Sequence, residues 1–528
     1  MRQPLQKIVF ICTLGVVLPT LFAHAAAPPD LPLVVKTDKG SVAGKMSADG
    51  HVRDFLGIPY AAAPVGPRRW QAPEPAAKWK DVRPATSFGA HCMQPKIFDD
   101  IVFRDPGQSE DCLTLNVWTP AKDASAKLPV MVWIHGGGFV VGGSSEPRQD
   151  GERLAHKGVI LVSMNYRLGV FGFFAGSDLA AESAHHAAGN YGLLDQQATL
   201  EWVKRNIKAF GGDPNNVTLF GESAGSTSVS LQMASPLSQG LVTKGIGESG
   251  GGLSGGTLSL AASEQRNDQF MHTAFGTSSV AKLRTFSAEK IMSAPAASSM
   301  SGSTGFEPNI DGYFLPDQPA AIYRQSNQAH IPLLAGWNKD EAAQKIMFSS
   351  PQPTLATLQE LAQKTFGAQA PAFLRAYSAN NDAEAVRAIE DYAGDSFIAY
   401  STWAWLEAQV KNGRRPVYRY HFDLGSPVDV HHPVAAGAFH SDDIEYVFGN
   451  LDARPGAQWT PADRQLSEQI QSYWTNFAKT CDPNGPNLPQ WPAYKAAGGW
   501  QVLHLDAQTT AQPDTHRDRY LFLQRVWK

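Results

Sequence analysis

Short apolar runs of strand length alternate with segments of helical periodicity along most of the chain. Residues 128–134 and 159–164 are nearly continuous apolar stretches, and 217–220, 331–335 and 416–422 are later runs of the same kind. Bounded runs of this length predict buried strands. Between them Leu200, Val203, Ile207 and Phe210 recur at helical spacing, and Gly211-Gly212 supplies a stop. Strands alternating with helices predict an α/β fold, a mostly parallel sheet covered by helices on both faces. Segment 354–412 is helical in pattern, as in Thr354-Leu355-Ala356-Thr357-Leu358 and 403–411. It is expected to form helical insertions that either cap one end of the sheet or pack plainly against it. Residues 287–305, rich in Ser, Ala and Gly and without periodicity, are expected to be an exposed loop. The chain has no internal repeat.

The N-terminus departs from this alternation. Arg2 and Lys7 precede an apolar stretch at 8–22, and Ala23-His24-Ala25 fits a small-x-small cleavage site. Residues 1–25 are therefore expected to be a signal peptide, and the protein to be exported, periplasmic or secreted. The apolar stretch falls short of the roughly 20 residues a membrane span needs, and Pro19 interrupts it. No other segment is long and apolar enough, so no membrane span is expected after cleavage. Residues 26–528 contain no evident linker and are expected to form a single domain. Their core draws on a chain with 43% apolar residues, 13 Trp and 26 Phe. Without the signal, 43 Lys+Arg face 49 Asp+Glu, a net charge of −6 that argues against nucleic acid and anionic membrane surfaces as partners. Oligomeric state has no signature in the chain. Of four cysteines, Cys12 leaves with the signal. Cys92 and Cys112 are candidates for a disulfide in an exported chain, leaving Cys481 as a free thiol.

Candidate chemistry centres on Ser223. It lies in Gly221-Glu222-Ser223-Ala224-Gly225, directly after the apolar run at 217–220. A G-x-S-x-G turn between strand and helix lifts a serine hydroxyl out of the sheet, where a base can activate it. Such a nucleophile needs a base, an acid to orient the base, and N–H donors for an oxyanion. His135-Gly136-Gly137-Gly138-Phe139 follows the run at 128–134 and fits a glycine-rich oxyanion loop. In an α/β hydrolase the acid and then the base follow the serine in sequence. Glu341 is the acid candidate, after the run at 331–335, with Asp340 its rival in the same loop. His440 is the base candidate, with His431-His432 as competitors, while His135 precedes the serine. Gly245-Ile246-Gly247-Glu248-Ser249-Gly250 satisfies G-x-G-x-x-G, but no helix-forming stretch follows, so no dinucleotide site is expected. With no H-E-x-x-H, no paired C-x-x-C and no Walker loop, no metal or other cofactor is implied.

From about Thr37 to Tyr494 the chain resembles the type B carboxylesterase/cholinesterase family of α/β-hydrolases. The matching motifs are Phe55-Leu56-Gly57-Ile58-Pro59-Tyr60-Ala61, Glu110-Asp111-Cys112-Leu113-Thr114-Leu115-Asn116-Val117, Asn165-Tyr166-Arg167-Leu168-Gly169 and Gly189-Asn190-Tyr191-Gly192-Leu193-Leu194-Asp195-Gln196. Phe210-Gly211-Gly212-Asp213-Pro214, the elbow itself, Phe477-Ala478-Lys479-Thr480 and Trp491-Pro492-Ala493-Tyr494 agree as well. The resemblance implies an α/β-hydrolase fold and cleavage of small carboxylic esters through an acyl-enzyme on Ser223, with no cofactor. It assigns the acid to Glu341, the base to His440, the oxyanion donors to Gly137, Gly138 and Ala224, and the family's first disulfide to Cys92 and Cys112. Amide or carbamate cleavage and a cholinesterase-like activity are the rivals on the same site. An inert esterase-like binding protein is the rival from another class, and an intact Ser223, Glu341 and His440 speak against it. Two departures stand out. The loop between Cys92 and Cys112 has no Trp, only Phe98 and Phe103, so a choline site is not expected. Cys481 stands where the family often has Gly. A His440 base predicts activity that falls in acid near the ordinary histidine range, about 6 to 7.

Overall fold

Side chains on the central strands point alternately into two separate cores, which identifies a sheet buried on both faces. On Leu128–Ile134, Val130, Val132 and Ile134 enter one core while Met131 and Trp133 enter the other. This period-two division is why the strand reads as a continuous apolar run. The computed structural model describes residues 33–294, 306–342, 352–411, 413–432 and 437–527. Residues 1–25, expected from the sequence to be a signal peptide, lie outside them. Leu33–Lys528 form one compact unit.

The central sheet has eleven strands. In chain order they are β1 (Lys45–Met46), β2 (Arg53–Pro59), β3 (Thr114–Thr119), β4 (Leu128–Ile134), β5 (Ile160–Met164), β6 (Gly212–Glu222), β7 (Lys244–Glu248), β8 (Leu333–Asn338), β9 (Val417–Phe422), β10 (Gln501–Leu505) and β11 (Thr510–Pro513). Their spatial order is β11-β10-β9-β8-β7-β6-β4-β5-β3-β2-β1. Every pair from β5 to β10 is parallel, while β1–β3 at one edge and β11 at the other are antiparallel. Helices α1 (Tyr191–Asn206) and α2 (Ala224–Ala234) cover one face, and the long Pro461–Thr480 helix covers the other through Leu466, Ile470, Trp474 and Phe477. Among the described residues no helix is long and apolar enough to cross a membrane.

The predicted strands are present, with informative shifts at their ends. The run at 331–335 becomes a strand only from Leu333, because Pro332 has no N–H for the ladder, and it continues to Asn338. The run at 217–220 lengthens to Gly212–Glu222, with a register shift between Gly212 and Val217. Gly211 ends the preceding helix in the left-handed conformation at φ 90°. The 287–305 segment is not simply a loop: Ser287 caps a short helix, Ala288–Met292, whose Ile291 is fully buried. The Ser- and Ala-rich composition hid one apolar anchor and one N-cap; residues 295–305 lie outside the described residues. Segment 354–412 is helical, with Leu355–Phe366, Ala370–Ala376, Asp382–Gly394 and Tyr400–Lys411.

Several of the sequence motifs find each other in space. Arg167 and Asp195, from two motifs 28 positions apart, form a buried bidentate pair at 2.7 and 2.8 Å. Arg69 holds Glu110 bidentately at 2.6 Å on both arms. Asn116 accepts the Gly57 N–H at 2.9 Å. Paired, multiply hydrogen-bonded charges of this kind fix one arrangement of the loops they join, and removing one partner is costly. Cys92 and Cys112 are joined by a disulfide, and Cys481 is free. Cys481 occupies the helix C-cap at φ 68°, a left-handed position that favours glycine.

Replacing Cys92 and Cys112 together by Ser should lower stability by about 3 kcal/mol, the chain-entropy value for a loop of this length, and leave the fold in place. Denaturant unfolding of the native and doubly substituted proteins measures this. Non-reduced peptide mapping should recover the Cys92–Cys112 pair with Cys481 alkylated; a bridge to Cys481 would contradict the pairing.

Candidate active site

Ser223 is the one residue between β6 and α2, and its backbone is held at φ 55°, ψ −120°. A non-glycine residue rarely adopts positive φ, and here the turn aims its Oγ away from the sheet. The Ser223 N–H donates to the Glu248 carbonyl at the end of β7, at 2.8 Å, and the Ser223 carbonyl accepts the Thr227 N–H. Gly225 and Gly136 leave the room the turn needs. A Cβ on Gly225 would lie 2.0 Å from the Ile134 carbonyl oxygen, and one on Gly136 would lie 2.5 Å from a Glu222 carboxylate oxygen.

The structure brings Ser223, His440 and Glu341 into one chain of hydrogen bonds. His440 Nε2 lies 2.9 Å from Ser223 Oγ, and His440 Nδ1 lies 2.6 Å from Glu341 Oε2. A carboxylate can only accept, so Nδ1 carries the proton and Nε2 is free to accept from the serine. The other Glu341 oxygen accepts from Ser249 Oγ at 2.6 Å and from the Asn338 N–H at 2.8 Å. Asp340 does different work. Its Oδ2 accepts the Ala438 N–H at 3.0 Å and its Oδ1 takes Arg387 at 2.6 Å, so it ties the Glu341 loop to the His440 loop. Asn338 Nδ2 donates to the Phe439 carbonyl at 2.7 Å and reinforces that link. His432 is held by Asp429. His135 is buried, stacked on Tyr166, and its imidazole is pulled down to about 4 by burial, which keeps it neutral.

Gly137 and Gly138 have φ 99° and 64°. Among the described residues, the N–H groups of Gly137, Gly138 and Ala224 donate to no protein acceptor. The glycine loop is braced from the disulfide loop, where Gln94 Nε2 donates to the Gly142 carbonyl and Gln94 Oε1 accepts the Gly142 N–H, both at 2.8 Å.

Three further carboxyl groups, of Glu222, Asp443 and Glu248, surround this chain. Glu222 Oε1 lies 3.3 Å from His440 Nε2, and burial raises its carboxyl to about 8. Burial also raises Asp443, to about 6, although it accepts from Tyr420 at 3.0 Å. Glu248, which accepts from Trp474 Nε1 at 2.7 Å, is raised by burial too. Burial alone disfavours a charged imidazole, but the charges of Glu222 and Glu341 outweigh it and raise His440 to about 9. Ser249 was read only as part of a rejected glycine motif. It follows β7 directly, at φ 53°, and the segment Lys244-Gly245-Ile246-Gly247-Glu248 has no apolar period that would have marked it. Phe397, 44% exposed, sets its ring 4.9 Å from the His440 ring, edge on. It stands on the turn Asp395–Ala399 of the helical insertion, so this insertion does reach the site. Nothing in the periodicity of the chain marks it.

A model of the carboxylesterase family matches residues 32–522. The chain is 36% identical to para-nitrobenzyl esterase of Bacillus subtilis over 504 residues, 92% of this chain and 97% of that protein. It is 35% identical to fumonisin B1 esterase of Sphingopyxis macrogoltabida over 490 residues, 91% of this chain and 88% of that protein. A solved structure of a PNB esterase matches it with a TM-score of 0.79 at 35% identity, covering 93% of this chain and 99% of that one. The chain belongs to the carboxylesterase family. Its fold is that of the α/β-hydrolases, and it is a hydrolase of carboxylic esters.

The two neighbouring acids separate in an amide-substitution test. Glu341→Gln should lower turnover by about 10⁴-fold, the loss seen when an amide in this position favours the wrong imidazole tautomer. Asp340→Asn keeps an acceptor for Ala438 and should cost less than about tenfold, since its ion pair to a half-exposed Arg387 is weak. Steady-state kinetics on one uncharged ester compare them, and the reverse ranking would make Asp340 the acid.

Proposed function

We propose that Ser223, His440 and Glu341 are the nucleophile, base and acid of this esterase. The observation that carries the reading is the unbroken contact series from Ser223 Oγ to His440 Nε2 and from Nδ1 to Glu341, at 2.9 and 2.6 Å. Ser223 Oγ attacks the ester carbonyl carbon as its proton passes to His440 Nε2. The tetrahedral intermediate collapses, the C–O bond to the alcohol breaks, and His440 returns the proton to the leaving oxygen. Water then repeats the sequence on the acyl-enzyme and releases the acid. Glu341 stabilises the imidazolium in each half. The N–H groups of Gly137, Gly138 and Ala224 receive the oxyanion, a role supported by their lack of any other acceptor among the described residues.

The substrate is a small uncharged ester. The Cys92–Cys112 loop supplies no tryptophan, and its Phe103 is stacked on His91 at 4.0 Å, away from service as a cation platform. We also propose that residues 1–25 direct export and that the remainder works as one domain. The Cys92–Cys112 disulfide supports an oxidising destination.

Ser223→Ala should reduce turnover by about a million-fold while leaving the far-UV spectrum and melting temperature unchanged, and an organophosphate should label Ser223 in the native enzyme. Labelling of a different serine is the result that would falsify the nucleophile.

Catalysis needs the neutral imidazole. A His440 raised by Glu222 and Glu341 loses it as pH falls through that raised value, so the acid limb of kcat/KM should lie above the ordinary 6.5. Glu222→Gln removes one of the two charges and should move the limb to lower pH by about one unit. A pH–rate profile of both proteins on a non-ionising ester reads this directly. An unchanged limb would mean that Glu222 does not act on His440.

A further inference from the structure

On the far side of β9 from the Glu341 loop, the strand register assembles a second cluster that the mechanism does not use. His421, near the end of β9, is the direct partner of His504 on β10. Asp423 lies two positions on, and side chains two apart on an extended chain share a face. Its N–H donates to the Leu505 carbonyl at 2.9 Å, which keeps this stretch running beside β10. One carboxylate therefore meets two imidazoles: His421 Nδ1 lies 2.9 Å from Asp423 Oδ1, and His504 Nδ1 lies 2.7 Å from Asp423 Oδ2. The ligand atoms of all three residues lie within 4.8 Å of one another. The side chains of His421, Asp423 and His504 are 10%, 15% and 25% exposed, held by their surroundings yet open to solvent on one side.

We propose that His421, Asp423 and His504 form a binding site for a divalent transition-metal ion of the zinc type, separate from the Ser223 centre and structural in effect. Two imidazole nitrogens with one carboxylate oxygen are a borderline donor set that suits Zn²⁺, Co²⁺ or Cu²⁺ and not Mg²⁺ or Ca²⁺. The spacing fits after a modest adjustment. Two ligands each about 2.0–2.1 Å from a tetrahedral ion stand about 3.3–3.4 Å apart. The present nitrogen–oxygen contacts, at 2.9 and 2.7 Å, are hydrogen bonds, and they open by about half an ångström as the ion takes the place of the shared protons. On binding, the ion replaces the two Nδ1–H···O bonds, and each neutral ring shifts its proton from Nδ1 to Nε2. The exposed side leaves room for water to complete the shell. The ion would pin β9 to β10. The other side of β9 holds the strand that leads to Glu341: His421 is in register with Trp337, and the Phe422 carbonyl accepts the Lys339 N–H at 2.9 Å.

Calorimetric titration of the chelator-treated full-length enzyme with Zn²⁺ near neutral pH tests this. The expected result is one equivalent bound, with affinity weakened at least about tenfold in His504→Ala and in Asp423→Asn. Zinc should raise the melting temperature of the native enzyme and not that of His504→Ala, and ester turnover of the chelated enzyme should match that of the untreated one. His504 is the most exposed of the three, so its variant carries the test even if Asp423→Asn fails to fold. His156→Ala is the control, because Asp49, Glu152 and His156 form the other such cluster among the described residues, with a single nitrogen. Absence of zinc binding in the native enzyme, equal affinity in His504→Ala, or loss in His156→Ala instead would each overturn the proposal.

Discussion

The positive φ of Ser223 is the constraint from which the rest of the site follows. A residue at φ 55° between a buried strand and a helix costs on the order of 1–3 kcal/mol and persists only where the surroundings hold it. Here they do so from three sides. The Glu248 carbonyl takes the Ser223 N–H, α2 begins at once, and the carbonyl of Ile134 sits where a side chain on Gly225 would stand. The same turn has two chemical effects. It occupies the N–H of Ser223 and leaves that of Ala224 free at the start of a helix, where the dipole favours negative charge. It also drives Glu222 inward, onto His440.

That inward carboxylate sets the electrostatics. Glu222, Glu248, Glu341 and Asp443 are all buried around a single imidazole, and four ionised carboxylates cannot share a dry space with one cation. The outcome is a division of labour. Glu341 accepts three hydrogen bonds, from His440, Ser249 and Asn338. Among the described residues Glu222 Oε1 accepts no hydrogen bond; it faces His440 at 3.3 Å, and burial pushes its carboxyl to about 8. Proton affinity at His440 therefore depends on the charges beside it as well as on its own burial.

Much of this was legible in the chain because it is carried by local pattern. The elbow, the glycine loop and the strands before them are contiguous segments whose period and glycines state their conformation. Glu341 and His440 were harder. The residues alone left Asp340 and the His431-His432 pair open, and family resemblance chose between them. The geometry explains why Asp340 looked equally good: it is a partly buried acid just past a strand end, but its partners are Ala438 and Arg387. What stayed hidden is what forms only when distant strands come into register. His421 and His504 are neighbours across 83 positions, Ser249 meets Glu341 across 92, and Phe397 reaches His440 from a helical insertion. No one-dimensional period encodes such meetings. The helix within 287–305 was missed for a smaller reason, a single apolar anchor in a polar, small-residue stretch.

Precision at the site and choice of substrate rest on different parts of the molecule. The reacting groups sit on loops, yet each loop is locked by paired side-chain-to-backbone bonds: Gln94 on Gly142, Asp340 on Ala438, Asn338 on Phe439. These bonds link strand ends to one another, so an error of an ångström at one reacting atom would have to break several of them together. Misplacement on that scale can cost about a hundredfold in rate. Phe397 belongs to another layer. It stands on the helical insertion, meets the edge of the His440 ring, and is half open to solvent. A change there alters the wall that a substrate meets without disturbing the bonds that align the proton path. The strands and their locked loops therefore align the proposed proton path, and the insertion contributes Phe397 beside it without sharing those bonds.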